Sequence, residues 1–262
     1  MSAIRLGAVA YLNARPLVHG LDGRSDLFTL QFDPPSRCAS LLHECAIDVG
    51  MIPSIEFHRG TSPYLIVGGM GIISEGPVAS VALFSAKPLD ELRTIAVDTS
   101  SRTSTGLLRV LCRERFGIAP ELIPMPPAFG PMLERCDGAL VIGDPALYLD
   151  HRAAGLNKID LGDEWTSMTG LPFVWAFWAG RPGVLSETAL RALTTARDAG
   201  VAASDAIADA YCGPERSELC RAYLRDNIKY VLDDRAADGL RRYYELAASH
   251  GVIESPRPMA FY

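Results

Sequence analysis

For two-thirds of its length the chain alternates short apolar runs with segments of helical period, and then it stops making strands. This alternation constrains the fold more than any other feature. The apolar runs Ile4–Val9, Leu27–Phe32, Val49–Ile52, Tyr64–Val67, Val78–Phe84, Thr94–Val97, Leu122–Met125, Ala139–Ile142 and Pro172–Trp178 predict strands. Between them, Cys38, Leu41, Leu42 and Cys45 recur at helical spacing, as do Ser104, Leu107, Leu108 and Leu111. Strands that alternate with helices predict α/β architecture, with open, mostly parallel sheets covered on both faces.

From Ser186 onward only helices are predicted, over Ser186–Tyr211, Ser217–Leu232 and Arg235–His250. A purely helical tail of this kind must bury its apolar faces on an earlier sheet. At 262 residues a single core is near its ceiling, so two lobes are expected. The simplest path leaves lobe one, builds lobe two and returns, crossing near Phe84–Pro88 and near Trp175–Pro182. That assigns residues 1–84 and 179–262 to lobe one and 85–178 to lobe two, with a cleft between them.

Composition excludes several classes. A formal charge of −6 and a pI near 5.4 argue against general attraction to nucleic acid or to anionic membrane. Three lysines stand against 22 arginines, which codon preference explains, leaving Arg15 and Arg102 as the arginines of interest. No apolar run approaches a membrane span, and Met1–Leu6 runs into a strand without the pattern of a leader, so a cytoplasmic location is expected. The six cysteines are scattered singly and are expected to be thiols of a reducing compartment.

Ligands of open α/β sheets bind beyond the carboxyl ends of strands, where loops feed helix starts. Four such loops carry suitable groups: Tyr11–Leu17, Asp33–Ser36, Ile52–Ser54 and Asp98–Ser104. Their hydroxyls, amides and free N–H groups suit a small polyanion, because helix starts hold carboxylates without a net basic protein. Singly, each has a plain alternative: Ser36 and Ser101–Ser104 as helix caps, Arg15 as a surface cation, Asn13 as a turn residue. Nucleotide-binding glycine loops, a serine-hydrolase elbow and a zinc-protease helix are absent. Cys38, His43 and Cys45 read as core packing, since no second ligand pair follows at metal spacing. Trp165, Trp175, Phe177 and Trp178 form an aromatic cluster in which Phe173 or Trp175 is placed to wall a cleft.

Tyr11-Leu12-Asn13-Ala14-Arg15-Pro16-Leu17, Pro35-Ser36, Ile47–Glu56, Gly76–Val81 and Ser101–Ser104 together resemble the chorismate dehydratase family of the futalosine route to menaquinone. The resemblance extends from Ile4 to about Trp178. It implies a two-lobed fold like that of type 2 periplasmic binding proteins, each lobe an open mixed sheet flanked by helices, the lobes joined by two crossover strands. It also implies a cofactor-free, metal-free dehydration of chorismate to 3-[(1-carboxyvinyl)oxy]benzoate. Asn13 and Ser80 match the positions that the family associates with catalysis. Ser36, Ser54, Ser101, Arg102, Thr103 and Ser104 are the expected carboxylate binders, with Arg15, Asp144 and Phe173 beside them; a carboxylate of chorismate itself is the expected base, and Asp144 is the best protein alternative. Three other readings compete: a non-catalytic binding protein for a small carboxylate, the related 1,4-dihydroxy-6-naphthoate synthase, and a ligand sensor or enzyme for a different cyclic carboxylate. The expected partner is the small-molecule substrate alone, with no nucleic acid or membrane.

Overall fold

A computed structural model describes residues 3–60 and 62–262. The strands are β1 (Ile4–Val9), β2 (Phe28–Asp33), β3 (Val49–Pro53), β4 (Leu65–Ile66), β5 (Ile72–Ser74), β6 (Val81–Ser85), β7 (Thr94–Asp98), β8 (Glu121–Met125), β9 (Gly138–Ile142), β10 (Asn157–Asp160) and β11 (Phe173–Gly180). The helices are α1 (Pro35–His43), α2 (Glu56–Arg59), α3 (Thr103–Leu111), α4 (Phe129–Arg135), α5 (Asp144–Tyr148), α6 (Leu161–Thr169), α7 (Glu187–Ala202), α8 (Ser204–Cys212), α9 (Ser217–Ala222) and α10 (Asp234–Ser249). Leu12–Val18 forms a 3₁₀ segment after β1.

Two sheets result. The first runs β2-β1-β3-β11-β4, with β5 also paired to β11, and the second runs β10-β6-β9-β7-β8. Strands joined through helices pair in parallel, as in β1 with β2 and β3, and β7 with β8 and β9. β11 is antiparallel to β3, β4 and β5, and β6 is antiparallel to β9 and β10. Both sheets are therefore mixed.

The crossings differ from the expected ones. Val81–Ser85, assigned to lobe one from the sequence, lies in the second sheet, and Phe173–Gly180, assigned largely to lobe two, lies in the first. The chain thus passes between sheets over residues 75–80 and returns over 161–172. Every residue of β6 and of β11 is buried, so neither strand carries a polar face that marks its sheet.

β5 and β10 were not expected. β5 is a three-residue strand beside a glycine turn, and β10 is a polar edge strand, Asn157-Lys158-Ile159-Asp160. The tail is less uniformly helical than expected. The chain leaves a π turn at Tyr223–Asn227, bridges Lys229 to Ile73, and ends with Phe261 against Ile66 of β4. Within the tail, Cys212 and Cys220 form a disulfide, and Cys45 is exposed; Cys38, Cys112 and Cys136 are buried thiols. The expectation of six free thiols fails because α8 and α9 fold back as a hairpin, which cysteine spacing alone does not reveal.

Candidate active site

Four parallel strands of the two sheets end at one cleft. Tyr11 and Asn13 follow β1, Pro53 ends β3, Ser101–Ser104 follow β7, and Gly143 follows β9; all line the same space. Because β11 runs antiparallel to β3, with Ala176 opposite Pro53, its first half lies at the same edge. Trp175 and Ala176 therefore line the cleft too. Its walls are mostly apolar (Val9, Ile72, Val78, Val81, Ile142), with a few polar groups, as small-molecule sites usually are.

α3 brings its N-terminus to the cleft. Its N-cap is Arg102 and no side chain caps its first turn, so the plain capping role for these serines does not apply. Ser101, Thr103 and Ser104 are all buried at the cleft wall. An uncapped helix start in an enclosed site is a ready receptor for a carboxylate. Ser36, likewise, caps nothing: Pro34 is the N-cap of α1, and Pro35 rather than Ser36 lines the cleft.

Arg102 does two things at once. It borders the cleft, and its guanidinium donates to Glu56 Oε2 at 2.6 Å and to Ser40 Oγ at 3.1 Å. Glu56 is 1% exposed and also meets His43 and Arg59, each at 3.1 Å. Burial pushes the Glu56 carboxyl up, but these three partners outweigh it and hold it below its ordinary value. The ion pair ties the second sheet's helix to the first sheet's α2 across the mouth of the site. Beside it, Thr103 Oγ1 accepts from the Ile55 N–H at 3.2 Å and lies 3.4 Å from Ser54 Oγ. Ser54 is thus fully buried under the cleft, where its carbonyl accepts from the Tyr244 hydroxyl.

Asn13 and Ser80 meet through a residue that the sequence did not single out. The Ser80 hydroxyl lies 2.7 Å from the Tyr223 hydroxyl, and the Asn13 amide lies beside that phenol. Ser80 and Tyr223 are 1% and 2% exposed. Burial drives the Tyr223 pKa up, opposed by Ser80 and Asn13, so the phenol stays protonated. Asn13 Oδ1 is buried without a hydrogen-bond partner. A buried acceptor left unpaired is costly, and here it sits on a residue of the cleft wall. Tyr223 was hidden because it falls inside a predicted helix, where an aromatic residue reads as packing.

Tyr11 was also passed over. Its ring packs on Gly143, where a Cβ would come within 2.7 Å of it; Gly143 has φ +67° and so suits glycine twice over. Behind Tyr11, Asp98 is 1% exposed, and one of its oxygens accepts from Ser100 N–H and Oγ at 2.7 and 2.6 Å. Burial raises the Asp98 pKa, while Ser100 works against the rise.

Besides Ser36, Ser54 and Ser80, which do not line the cleft, three further expected site residues lie elsewhere. Arg15 turns away from the cleft: its guanidinium stacks 4.3 Å from the Phe32 ring and 5.1 Å from the Tyr211 ring, and donates to the Ala10 carbonyl. Asp144 is a strut, one oxygen accepting from the Leu12 N–H at 3.2 Å and the other from the Tyr211 hydroxyl at 2.6 Å. Phe173 is 1% exposed and packs edge-on with Trp165, Trp175 and Tyr243, so it is core; Trp175 takes the wall position.

Comparison with known proteins identifies the fold and the family. A chorismate dehydratase of Thermus thermophilus is 28% identical over 258 residues, covering 92% of this chain and 93% of that protein. Protein AF1704 from Archaeoglobus fulgidus superposes with a TM-score of 0.76 at 19% identity, covering 96% of this chain and 99% of that one. The alkanesulfonate-binding protein SsuA from Xanthomonas axonopodis pv. citri, bound to MOPS, superposes with a TM-score of 0.70 at 15% identity, covering 98% and 95%. A Candida albicans protein, CA3427, with the generic periplasmic-binding-protein fold follows at 0.66 and 12% identity, covering 98% and 92%. The fold is that of periplasmic binding proteins. The family model described as menaquinone biosynthesis matches residues 4–249, nearly the whole chain, and the protein belongs to that family.

Proposed function

We propose that the protein is a chorismate dehydratase, converting chorismate to 3-[(1-carboxyvinyl)oxy]benzoate and water. The observation that carries this reading is the pairing of an uncapped, hydroxyl-rich helix start with an orphaned Asn13 Oδ1 in one cleft. Chorismate offers two carboxylates, which only accept hydrogen bonds, and one hydroxyl, on C4. The carboxylates match the α3 start at Ser101, Thr103 and Ser104; the hydroxyl is the one donor that satisfies Asn13.

Elimination removes the C3 proton and the C4 hydroxide, and the ring becomes aromatic. Aromatisation supplies the thermodynamic drive, so the protein's task is orientation and charge stabilisation. Asn13 accepts from the C4 hydroxyl and so orients it, while the Ser80 hydroxyl donates to the charge that develops on that oxygen as it leaves. Asp144 does not line the cleft and braces Leu12 and Tyr211 instead, so it is not placed to take the proton. The enolpyruvyl carboxylate of the substrate, attached at C3 itself, serves as base, and that proton leaves with hydroxide as water.

The test is direct: purified protein with chorismate, without added metal or nucleotide, yields the aromatic enolpyruvyl ether, followed by its ultraviolet absorption and mass. Tight chorismate binding without turnover favours the rival reading of a binding protein, the role that the name of the SsuA neighbour describes.

A further inference from the structure

Ser80 follows an alanine in a conformation that alanine rarely takes. Ala79 has φ +62°, in the left-handed region, and together with Cys45 it is one of two such non-glycine residues among those described. The turn is held from one side by β10. Asp160 Oδ2 accepts from the Ala79 N–H at 2.7 Å, and Asp160 Oδ1 accepts from the Val78 N–H at 3.0 Å. Lys158 Nζ, two residues earlier, donates to the Ala79 carbonyl at 3.0 Å. Both ends of the strained residue are therefore pinned by one edge strand. The same Asp160 caps α6, its Oδ1 also accepting from Gly162 and Asp163 N–H.

We propose that Asp160 is a positioning residue for the dehydration: it holds the Val78–Ala79–Ser80 turn so that the Ser80 hydroxyl meets Tyr223 and faces the reacting C4 oxygen. This inference rests on the reading of the protein as a dehydratase. A merely structural Asp160 would need only its capping bonds, which all fall on Oδ1. The bond from Ala79, to the other oxygen, is what acts on the strained residue.

That division gives a selective variant. In Asp160→Asn, Oδ1 keeps its three N–H donors, and turning the amide would set its NH₂ against all three. The NH₂ therefore faces the Ala79 N–H, donor against donor, and only that contact is lost. The expected result is a fall in kcat of about tenfold or more with KM within about twofold, the mark of an interaction used in the transition state. In a crystal structure of the variant, the Ser80 hydroxyl leaves its 2.7 Å contact with Tyr223. Adding Ala79→Gly, which adopts positive φ without strain, recovers several-fold of the lost kcat.

An unchanged kcat in Asp160→Asn overturns the proposal. So does a loss that Ala79→Gly fails to recover while Tm falls in parallel, since that is a capping defect. If the wild type leaves chorismate untouched, the dehydratase reading fails by itself. The Ser80 position in the variant then still decides whether Asp160 holds the turn.

Discussion

His58 is a buried imidazole whose Nδ1 accepts from the Arg257 N–H at 3.1 Å while its ring packs edge-on to Tyr244. Burial, with the nearby Arg257 charge, lowers its pKa to about 4 from 6.5. The unfolded chain therefore binds this proton more readily, and acid favours unfolding. The stability that His58 lends as a neutral group is complete above about pH 6.5 and is lost as pH falls toward 4, by roughly 3 kcal/mol in all. Thermal melts across this window should show Tm falling with acid in the wild type and a flatter profile in His58→Asn; equal slopes would count against it. At the site, Ser104→Ala should raise KM for chorismate about tenfold, the loss of one hydrogen bond to a carboxylate, with kcat within about twofold. A larger effect on kcat would give Ser104 a part in the chemistry. Residues in strand-end loops were the legible ones, because position on an α/β sheet predicts a site by itself. Arg15, Asp144 and Phe173 stand in equally suggestive places and are a stacked guanidinium, a strut and core. Only side-chain direction separates them from Asn13, and spacing does not encode that.

Elements of the tail hold the cleft by backbone contact. α7 lies so close to the 3₁₀ segment after β1 that a Cβ on Gly200 would come within 2.0 Å of the Pro16 carbonyl oxygen. α10 approaches the loop before β11 equally closely, at Gly239 against Pro172. Neither neighbour is a flexible side chain, so the helices themselves must shift. Gly200→Ala or Gly239→Ala should each cost about 3 kcal/mol, seen as a Tm lowered by about 6–12 °C; an unchanged Tm would show that these helices pack more loosely. Strands with both faces apolar were visible in the sequence as elements, and their register with one another was not. β10 was missed altogether because Lys158 and Asp160 make it polar, and those side chains are the ones that reach across to the Ser80 turn.

At the scale of the whole molecule, the two sheets are joined across the cleft by Glu56 and Arg102. Glu56→Gln should leave Arg102 and Arg59 without their anion. Both arginines are partly exposed, so the loss should be about 2 kcal/mol, below that of a fully buried pair. Because the folded Glu56 holds its proton less readily than its ordinary value of 4.5, this contribution is present above that pH and fades as pH falls through the lower folded value. The variant should melt lower than wild type at pH 7, with the difference narrowing in acid; a constant gap would contradict the assignment. Two sheets and a returning chain were legible from length and from the strand-free tail. The places where the chain changes sheet were not, since β6 and β11 are apolar on all sides and pairing alone assigns them.

The account turns on one claim, that Asn13 at this cleft serves the dehydration of chorismate. Steady-state kinetics of Asn13→Ala test it most directly, with production of 3-[(1-carboxyvinyl)oxy]benzoate as the readout and circular dichroism confirming the fold. The account predicts a loss in kcat/KM of about 100-fold or more, the size expected when a reacting group loses the contact that orients it. A variant that folds and turns over chorismate with the wild-type kcat/KM would contradict it.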